Sequence, residues 1–186
     1  MMATPNIPRD QEVIEVPITP DPVVDAPVQE PDPLKEVKEK LTDEEKENFF
    51  KAFLSDKPYI ATESIFKGKI PLKFSSLTVK QNNTIMLQMQ FDRETNVAQT
   101  TDKYLIQVIQ YRIAASLLEF NNVPFAPEIT EENIPSDSKT HSTYLLKRLE
   151  LMESWGVYKI SAITEAFNRF EKKLRALTEE SFNENF

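Results

Sequence analysis

The sequence predicts an α+β domain, mostly helical, in which a small β-hairpin packs with four to five helices behind an extended, proline-rich N-terminal arm. Eight of the 13 prolines lie within the first 33 residues. A prolyl ring fixes φ and removes a backbone donor, so this part can form neither a helix nor a central strand. Beyond it, apolar residues recur mostly at helical intervals, with one short stretch of period two.

The charge of the chain is concentrated near the N-terminus. Residues 1–48 contain 13 acidic and five basic residues, a net charge of −8, whereas residues 49–186 contain 17 of each. We therefore expect an extended acidic arm over residues 1–41, with a short helix near 33–40, and one domain over 42–186. Either the arm is a solubilising tail, or its alternating segment EVIEVPI adds as a strand to a partner.

The composition excludes several kinds of protein. Without cysteine there can be no disulfide, thiolate nucleophile or zinc–thiolate site. No apolar run approaches the ~20 residues of a membrane span, and the N-terminus lacks the features of a signal peptide. We expect a soluble protein made inside a cell. A nucleic-acid-binding surface is not expected, because phosphate binding needs a net cationic footprint. The basic residues Lys172, Lys173 and Arg175 are either a local basic patch or, as we favour, a solvated helix face.

The first helix of the domain is marked by its cap. Thr42 and Glu45 have capping-box spacing, and phenylalanine and leucine recur at helical intervals from residue 49 onward. This pattern predicts a short amphipathic helix from about Asp43 to Leu54.

A β-hairpin is predicted next. Residues 70–75 alternate between apolar and polar side chains, the period of a half-buried strand, and residues 62–66 are the natural partner. Lys67 and Gly68 then form the turn, where glycine adopts a positive φ at little steric cost. Because Pro71 cannot donate to a neighbouring strand, we expect its strand to lie at an edge of the sheet.

Two helices are predicted in the middle of the chain. Thr78 and Gln81 repeat the capping-box spacing, which indicates a helix from Val79 to about Glu94. Its segment IMLQMQF also alternates like a strand, but the cap and the glutamines favour a helix. Thr101–Asp102 caps the next helix. The apolar stripe of that helix consists of Leu105, Val108, Ile109, Ile113, Leu117 and Phe120.

The last third of the chain begins with a long polar segment. Residues 122–140 are punctuated by prolines and follow the predicted helix end at Asn121, so they are either a binding loop or a disordered linker. Residues 141–178 predict an antiparallel helical hairpin, with Gly156 ending its first helix. The final SFNENF places a phenylalanine beyond the last helix, where it either docks back on the domain or serves as a hook for a partner.

No catalytic or metal-binding pattern is recognisable. The only histidine, His141, has its nearest downstream acid at Glu150, off the i, i+4 row of a helical metal site, and no serine lies in a G-x-S-x-G elbow. The adjacent acids at 131–132 and 179–180 are expected to be exposed, where acid–base catalysis lacks the burial it needs. We therefore expect no catalytic, metal or cofactor site and a function that is not enzymatic.

Three stretches of the chain show a common pattern: SDKPYIATESIFKGKIPLKFSSLTVKQ, YLIQVIQYRIAASLLEFNNVPF and WGVYKISAITEAFNRFEKKLRALTEESFNENF. Together, over about residues 50–186, they resemble small tail-assembly chaperones and related minor tail proteins of tailed bacteriophages. The acidic arm is not part of that pattern, and ordered arms are more typical of proteins that stay in a virion. The resemblance implies no cofactor and no active-site residue.

We therefore expect a non-enzymatic morphogenesis protein that acts in the host cytoplasm and binds the tape measure or tail tube protein. Its partners are expected to be other tail or virion proteins, not nucleic acid or membrane. Two alternatives stay open: a structural virion component whose arm tethers neighbouring tail, baseplate or neck subunits, and a cellular adaptor. The methionines of the 79–94 helix are either core or, if exposed, an adaptable docking surface. The candidate contact residues are Met86, Met89, Phe91, Phe125, Phe182 and Phe186.

Overall fold

The computed structural model describes residues 41–95, 100–130, 132–134 and 143–182. Within these ranges, helices pack with an antiparallel sheet of order β1-β2-β3-β4, which confirms the mostly helical α+β class. The predicted arm, apart from Leu41, and the helix expected at 33–40 lie outside the described residues. The elements are α1 (Asp43–Leu54), β1 (Ile60–Ile65), β2 (Ile70–Ser75), α2 (Val79–Glu94), α3 (Thr101–Ser116), β3 (Leu117–Phe120), β4 (Val123–Pro124), α4 (Thr143–Glu153) and α5 (Val157–Ser181).

Both predicted capping boxes are formed. The Thr42 hydroxyl accepts the Glu45 N–H at 3.2 Å, and the Glu45 carboxylate accepts the Thr42 N–H at 3.0 Å. Thr78 and Gln81 repeat this exchange at 3.1 and 3.0 Å. Each box satisfies two backbone donors that a helix start leaves unpaired. The helix predicted over Val79–Glu94, including IMLQMQF, is confirmed as α2.

The predicted hairpin is confirmed as β1 and β2, and Gly68 lies in its loop with φ +87°. The expectation that Pro71 places its strand at an edge is wrong, since β2 lies between β1 and β3. The Pro71 carbonyl accepts the Asn121 N–H at 2.8 Å. In an antiparallel pair, residue 71 would also donate its N–H to Asn121, and a proline has no N–H to donate. Because Asn121 already lies in the turn beyond β3, the missing hydrogen bond is tolerated.

The apolar stripe predicted to continue along α3 to Phe120 is interrupted. The helix starts after its N-cap at Thr100, one residue earlier than predicted. The last four residues over which the stripe was predicted, Leu117–Phe120, form β3, which pairs with β2. Asn121 and Asn122 have φ of +52° and +61° and form a two-residue hairpin turn that places Phe120 opposite Val123. Asparagine tolerates this left-handed backbone, so the pair is a hairpin turn and not a helix end.

The last two helices do not form the packed hairpin that the sequence predicted. α4 packs chiefly on α3, whereas α5 packs on β1 and β2. Gly156 has φ −63° and ψ 149° and is the N-cap of α5, so it is not the left-handed glycine expected after α4. At Gly156 the chain therefore passes from a helix that packs on α3 to a helix that packs on the sheet.

Two apolar clusters share α3. One lies between the sheet and α5, and the other lies between α2, α3 and α4. α3 contributes Ile113 to the first and Tyr111 to the second, so it ties the two halves of the domain together. The fully buried side chains of the first cluster include Leu72, Phe74, Ile163 and Phe170, and those of the second include Ile85, Met89 and Leu145.

Candidate protein-binding surface

Two of the six predicted contact residues are core residues. Met89 is 1% exposed in the cluster between α2, α3 and α4, and Phe125 is 8% exposed in the cluster beneath the sheet. The Phe125 ring lies 5.2 Å from that of Trp155 and 4.8 Å from the Arg148 guanidinium. Their prediction as partner contacts is corrected, because both side chains are covered by the domain itself. The segment predicted as a binding loop or linker, residues 122–140, begins instead with the short strand β4 and the buried Phe125.

The other predicted residues are spread over the domain. Met86 is exposed on α2, Phe91 is half-buried on the same helix, and Phe182 is 83% exposed just beyond α5. Phe186 lies outside the described residues. Because Met89 and Phe125 are buried, the five described residues do not form one surface.

Arg148 is buried although no feature of the sequence singled it out. Its guanidinium donates to the main-chain carbonyls of Ala114 and Leu117, at 2.6 and 2.5 Å, and to those of Ala126 and Ile129, both at 3.2 Å. Burial lowers the pKa of this guanidinium from its ordinary value. The arginine satisfies carbonyls that the end of α3 leaves unpaired, so its role is to hold the α3–β3 junction against the segment after β4.

A second buried polar group joins α2 to α3. Asp92, 4% exposed, accepts hydrogen bonds from Gln88 at 2.9 Å and from Gln107 and the Tyr111 hydroxyl, both at 2.8 Å. Burial, and then the bond to Asp92, raise the pKa of Tyr111 above its ordinary range. The carboxylate is already engaged by three donors, so this network pins two helices together. The i, i+4 spacing of 88–92 and 107–111 was the sequence signal for it.

The adjacent acids at 131–132 and 179–180 were considered as catalytic carboxylates and were expected to be exposed. Glu180, expected to be exposed, is half-buried and its carboxylate lies 2.8 Å from the Lys46 ammonium. His141 and Glu131 lie outside the described residues. Within the described ranges, no three or more His, Cys, Asp or Glu side chains are grouped so that they could hold a metal ion. None of the described helices is both long and apolar enough to cross a membrane.

Ion pairs hold α1 against α5 and β1. Lys173 lies 2.8 Å from a Glu45 oxygen and 3.0 Å from one of Glu63. Burial opposes the charge of Lys173, but the two paired carboxylates outweigh it and raise its pKa. Burial likewise opposes the charge of Glu45, and hydrogen bonds to Lys173 and Thr42 outweigh it and lower its pKa. Lysine 173 is thus a pairing residue and not part of a solvated basic face.

Several apolar side chains of α1 differ in their exposure. Phe49 packs edge-on against Tyr59 at 5.6 Å, whereas Phe53 is 70%, Leu54 67% and Phe50 44% exposed. At 100° per residue, Phe53, Phe50 and Leu54 lie roughly 40°, 100° and 140° around the helix from Phe49. We call Phe50, Phe53 and Leu54 the outer face of α1. The sequence predicted an amphipathic helix from these residues, and the arc that they span is wider than a single neighbour covers.

A second apolar surface lies at the junction of α4 and α5. Val157 is 82% and Tyr158 92% exposed at the start of α5. Beside them, a cleft of about 280 Å³ is lined by residues of α3, α4 and α5, including Trp155 and Ile160. The lining also includes Gln110 and Glu153. The exposed Val157 and Tyr158 serve as a comparison for the outer face of α1.

Comparisons of the chain with protein-family models, with curated proteins and with solved structures found no match. An inference about function therefore has to come from the residues of this chain. Of the surfaces described, the outer face of α1 has the largest group of adjacent exposed apolar side chains on one anchored element.

Proposed function

We propose that this protein is a non-enzymatic tail-assembly chaperone of a tailed phage, which binds tape measure or tail tube protein through the outer face of α1. The supporting observation is the exposure of Phe53 and Leu54, each about two-thirds exposed, on a helix that ion pairs hold in place. Single exposed apolar residues are ordinary. A contiguous group with two aromatic rings on an anchored helix is typical of an interaction site.

A chaperone for a tail protein has to cover apolar segments of its client before the tail is built, and to give them up afterwards. An exposed helix face meets both needs, because the client contacts side chains without any unfolding of the domain. Phe182, 83% exposed, lies two residues beyond Glu180, which is paired with Lys46 of α1. Phe182 therefore extends the proposed contact region. In this proposal the site of action is the host cytoplasm during assembly.

The acidic, proline-rich arm favours a second candidate function. A proline-rich segment with net negative charge suits a tether between neighbouring subunits of a tail, baseplate or neck. In that case the protein stays in the particle, and the outer face of α1 is a permanent subunit contact.

The two functions differ in where the protein ends up. We expect quantitative mass spectrometry of purified phage particles, normalised to a major tail protein, to find this chain absent while it is abundant in the producing cells. A fixed stoichiometric amount in the particles would overturn the chaperone proposal in favour of the structural component.

The contact itself is tested by co-expression with a tape measure protein from the same source. We expect the intact chain to keep the tape measure protein soluble, and the double variant Phe53→Ser/Leu54→Ser to lose most of that effect. The matched control is Val157→Ser/Tyr158→Ser, which removes an adjacent and even more exposed pair from α5. An equal loss in both variants would contradict the assignment to α1.

A further inference from the structure

The sheet has two edges, and they differ in how well they accept a further strand. β4 consists of Val123 and Pro124 only, so its edge is short and lacks one backbone donor. β1, at the other edge, is six residues long. Its residues Ile60, Thr62 and Ser64 are exposed, and β1 contains no proline or lysine of the kind that blocks an edge.

The direction of the backbone groups of β1 follows from its hydrogen bonds. The Ser76 N–H donates to the Tyr59 carbonyl at 2.8 Å, so residues 59 and 76 form a pair that exchanges hydrogen bonds. Such pairs alternate along an antiparallel ladder, and the register of β1 and β2 makes them recur at residues 61, 63 and 65. Residues 60, 62 and 64 therefore direct their N–H and C=O groups away from β2, toward the edge of the sheet.

Contacts on both sides of the hairpin agree with this direction. Pro71, the register partner of Ser64, has no N–H and directs its carbonyl to Asn121 beyond β3. On the edge side, the Arg169 guanidinium donates to the Ser64 carbonyl at 2.6 Å. Among the described residues, no hydrogen bond engages the other backbone groups that residues 60, 62 and 64 direct to the edge. The edge therefore presents three N–H donors and two carbonyl acceptors to a further strand.

The surroundings of this edge favour a strand with negative charge. A cleft of about 410 Å³ lies beside it, between β1, its hairpin loop and α5. Glu63 of β1 is already paired with Lys173 and Arg169. The exposed charged residues that flank β1 or line the cleft are four cations and two acids: Lys57, Lys67, Lys69, Arg169, Asp56 and Glu165. Their net charge is positive, so an acidic strand is attracted to this edge.

The arm contains a segment with the pattern that such an edge requires. The sequence EVIEVPI at residues 12–18 carries two glutamates and no cation. In a strand, alternate residues direct their backbone groups to the same neighbour. Pro17 has no N–H, so it is tolerated only where that group would point away from the neighbour. The residues that then face the edge with their N–H groups are Glu12, Ile14, Val16 and Ile18.

The proline content of residues 19–40 favours a neighbouring copy over the same chain as the recipient of this segment. The first turn of α1 lies close to β1, since Lys173 bridges Glu45 and Glu63 at 2.8 and 3.0 Å. Residues 19–40 contain five prolines, and a proline-rich linker of this length extends to roughly 70 Å. A stiff linker much longer than the distance it has to bridge gives a low effective concentration within one chain.

We infer that residues 12–18 of one copy add as an antiparallel strand to the edge of β1 in a neighbouring copy. Ile14 and Val16 then lie on the same face of the sheet as Ile60 and Thr62, where cross-strand apolar pairs stabilise the added strand. This inference goes beyond the chaperone proposal and does not depend on it. For the second candidate function, it names the site that receives the tether.

Sedimentation equilibrium of the full chain tests the association. We expect the native chain to self-associate reversibly. Ile14→Pro removes an N–H that faces the edge and should weaken this association at least ~10-fold. Val13→Pro is the matched control, because it changes the adjacent aliphatic residue, whose N–H faces away, and it should weaken the association less than about 3-fold. Both positions precede the described residues, so circular dichroism melts of the two variants should coincide.

Disulfide trapping identifies which copy receives the segment. The chain has no cysteine, so Ile14→Cys and Thr62→Cys each introduce a single thiol. We expect a mixture of these two variants to form the mixed disulfide under mild oxidation. Replacing Ile14→Cys by Val13→Cys should lower its yield at least ~5-fold, because alternate side chains of a strand point to opposite faces.

Four results would overturn the inference: a native chain that is monomeric at every concentration, equal effects of the two proline variants, no mixed disulfide, or an intramolecular disulfide in dilute Ile14→Cys/Thr62→Cys. The last of these would show that the segment returns to its own β1. The chaperone proposal fails separately. Phe53→Ser/Leu54→Ser should leave self-association unchanged, and Ile14→Pro should leave the solubility of co-expressed tape measure protein unchanged.

Discussion

Phe49 and Phe53 lie one turn apart on α1, yet their surroundings are opposite. Phe49 packs against Tyr59, which is stacked at 6.5 Å on Phe170, itself 5.6 Å from Phe74. Phe53 is 70% exposed. The two residues are chemically identical, so the difference comes from which neighbours α5 and the sheet provide. These two rings of α1 are therefore divided between a closed aromatic stack, which stabilises the domain, and an exposed position on the same helix.

The largest expected effect compares the closed stack with the open face. Phe170→Ala removes a ring that is fully buried between α5 and the sheet, so it should lower the free energy of unfolding by about 3–5 kcal/mol. Phe53→Ala should change it by no more than about 0.5 kcal/mol. Urea unfolding followed by circular dichroism measures both. Similar losses for the two variants would mean that Phe53 is covered in solution and that the comparison is wrong.

A smaller effect is expected from the ion pairs that hold α1 in place. Lys173→Met removes the cation between Glu45 and Glu63, whose side chains are 27% and 11% exposed. Leaving the better-buried carboxylate short of a partner should cost about 1–2 kcal/mol. Lys172→Met, at the neighbouring exposed position, is the control and should be near neutral. Equal stability of the two variants in urea would show that the ion pairs of Lys173 do not stabilise the packing of α1.

The smallest effect is a dependence on pH. The lowered pKa of Glu45 means that its contribution to stability is present above its ordinary value of 4.5 and is lost as pH falls through the lower folded value. The raised pKa of Lys173 means that its contribution is full below 10.5 and is lost as pH rises through the higher folded value. Between these limits the contribution of the pair should be constant.

Glu45→Gln is the variant that isolates the acid side. The difference in unfolding free energy between the native chain and Glu45→Gln should be constant near neutral pH and should shrink below pH 4.5, because the native glutamate then becomes neutral as well. Urea midpoints at several pH values measure this difference. A difference that does not change with pH would contradict the contribution of the ionised Glu45 pair to the anchoring of α1.

Much of the local structure could be predicted from the residues themselves. The capping boxes at Thr42 and Thr78, the turn at Gly68 and the alternation of β2 each depend on neighbours in the sequence, and all are present. One local signal was misinterpreted. Asn121 and Asn122 form a hairpin turn, and asparagine is among the residues that favour positive φ in such turns.

The candidate site could be predicted only in part. The amphipathic helix from Asp43 to Leu54 was predicted, but not the exposure of Phe53 and Leu54. Met89 and Phe125 were named as candidate contact residues, and both are buried. Burial is set by segments far away in the chain. Nothing near Phe125 in sequence indicates that Trp155 and Arg148 cover it.

The sequence by itself determined where helices and turns begin, because caps, glycine turns and periodic apolar residues act over three or four positions. Only the tertiary structure decided which apolar residues became core and which became surface. The pairing of Lys173 with Glu45 and Glu63 aligns α1 so that Phe49 points inward and Phe53 outward. Such contacts join residues that are distant in the chain, and their geometry exists only once the sheet and α5 have packed together.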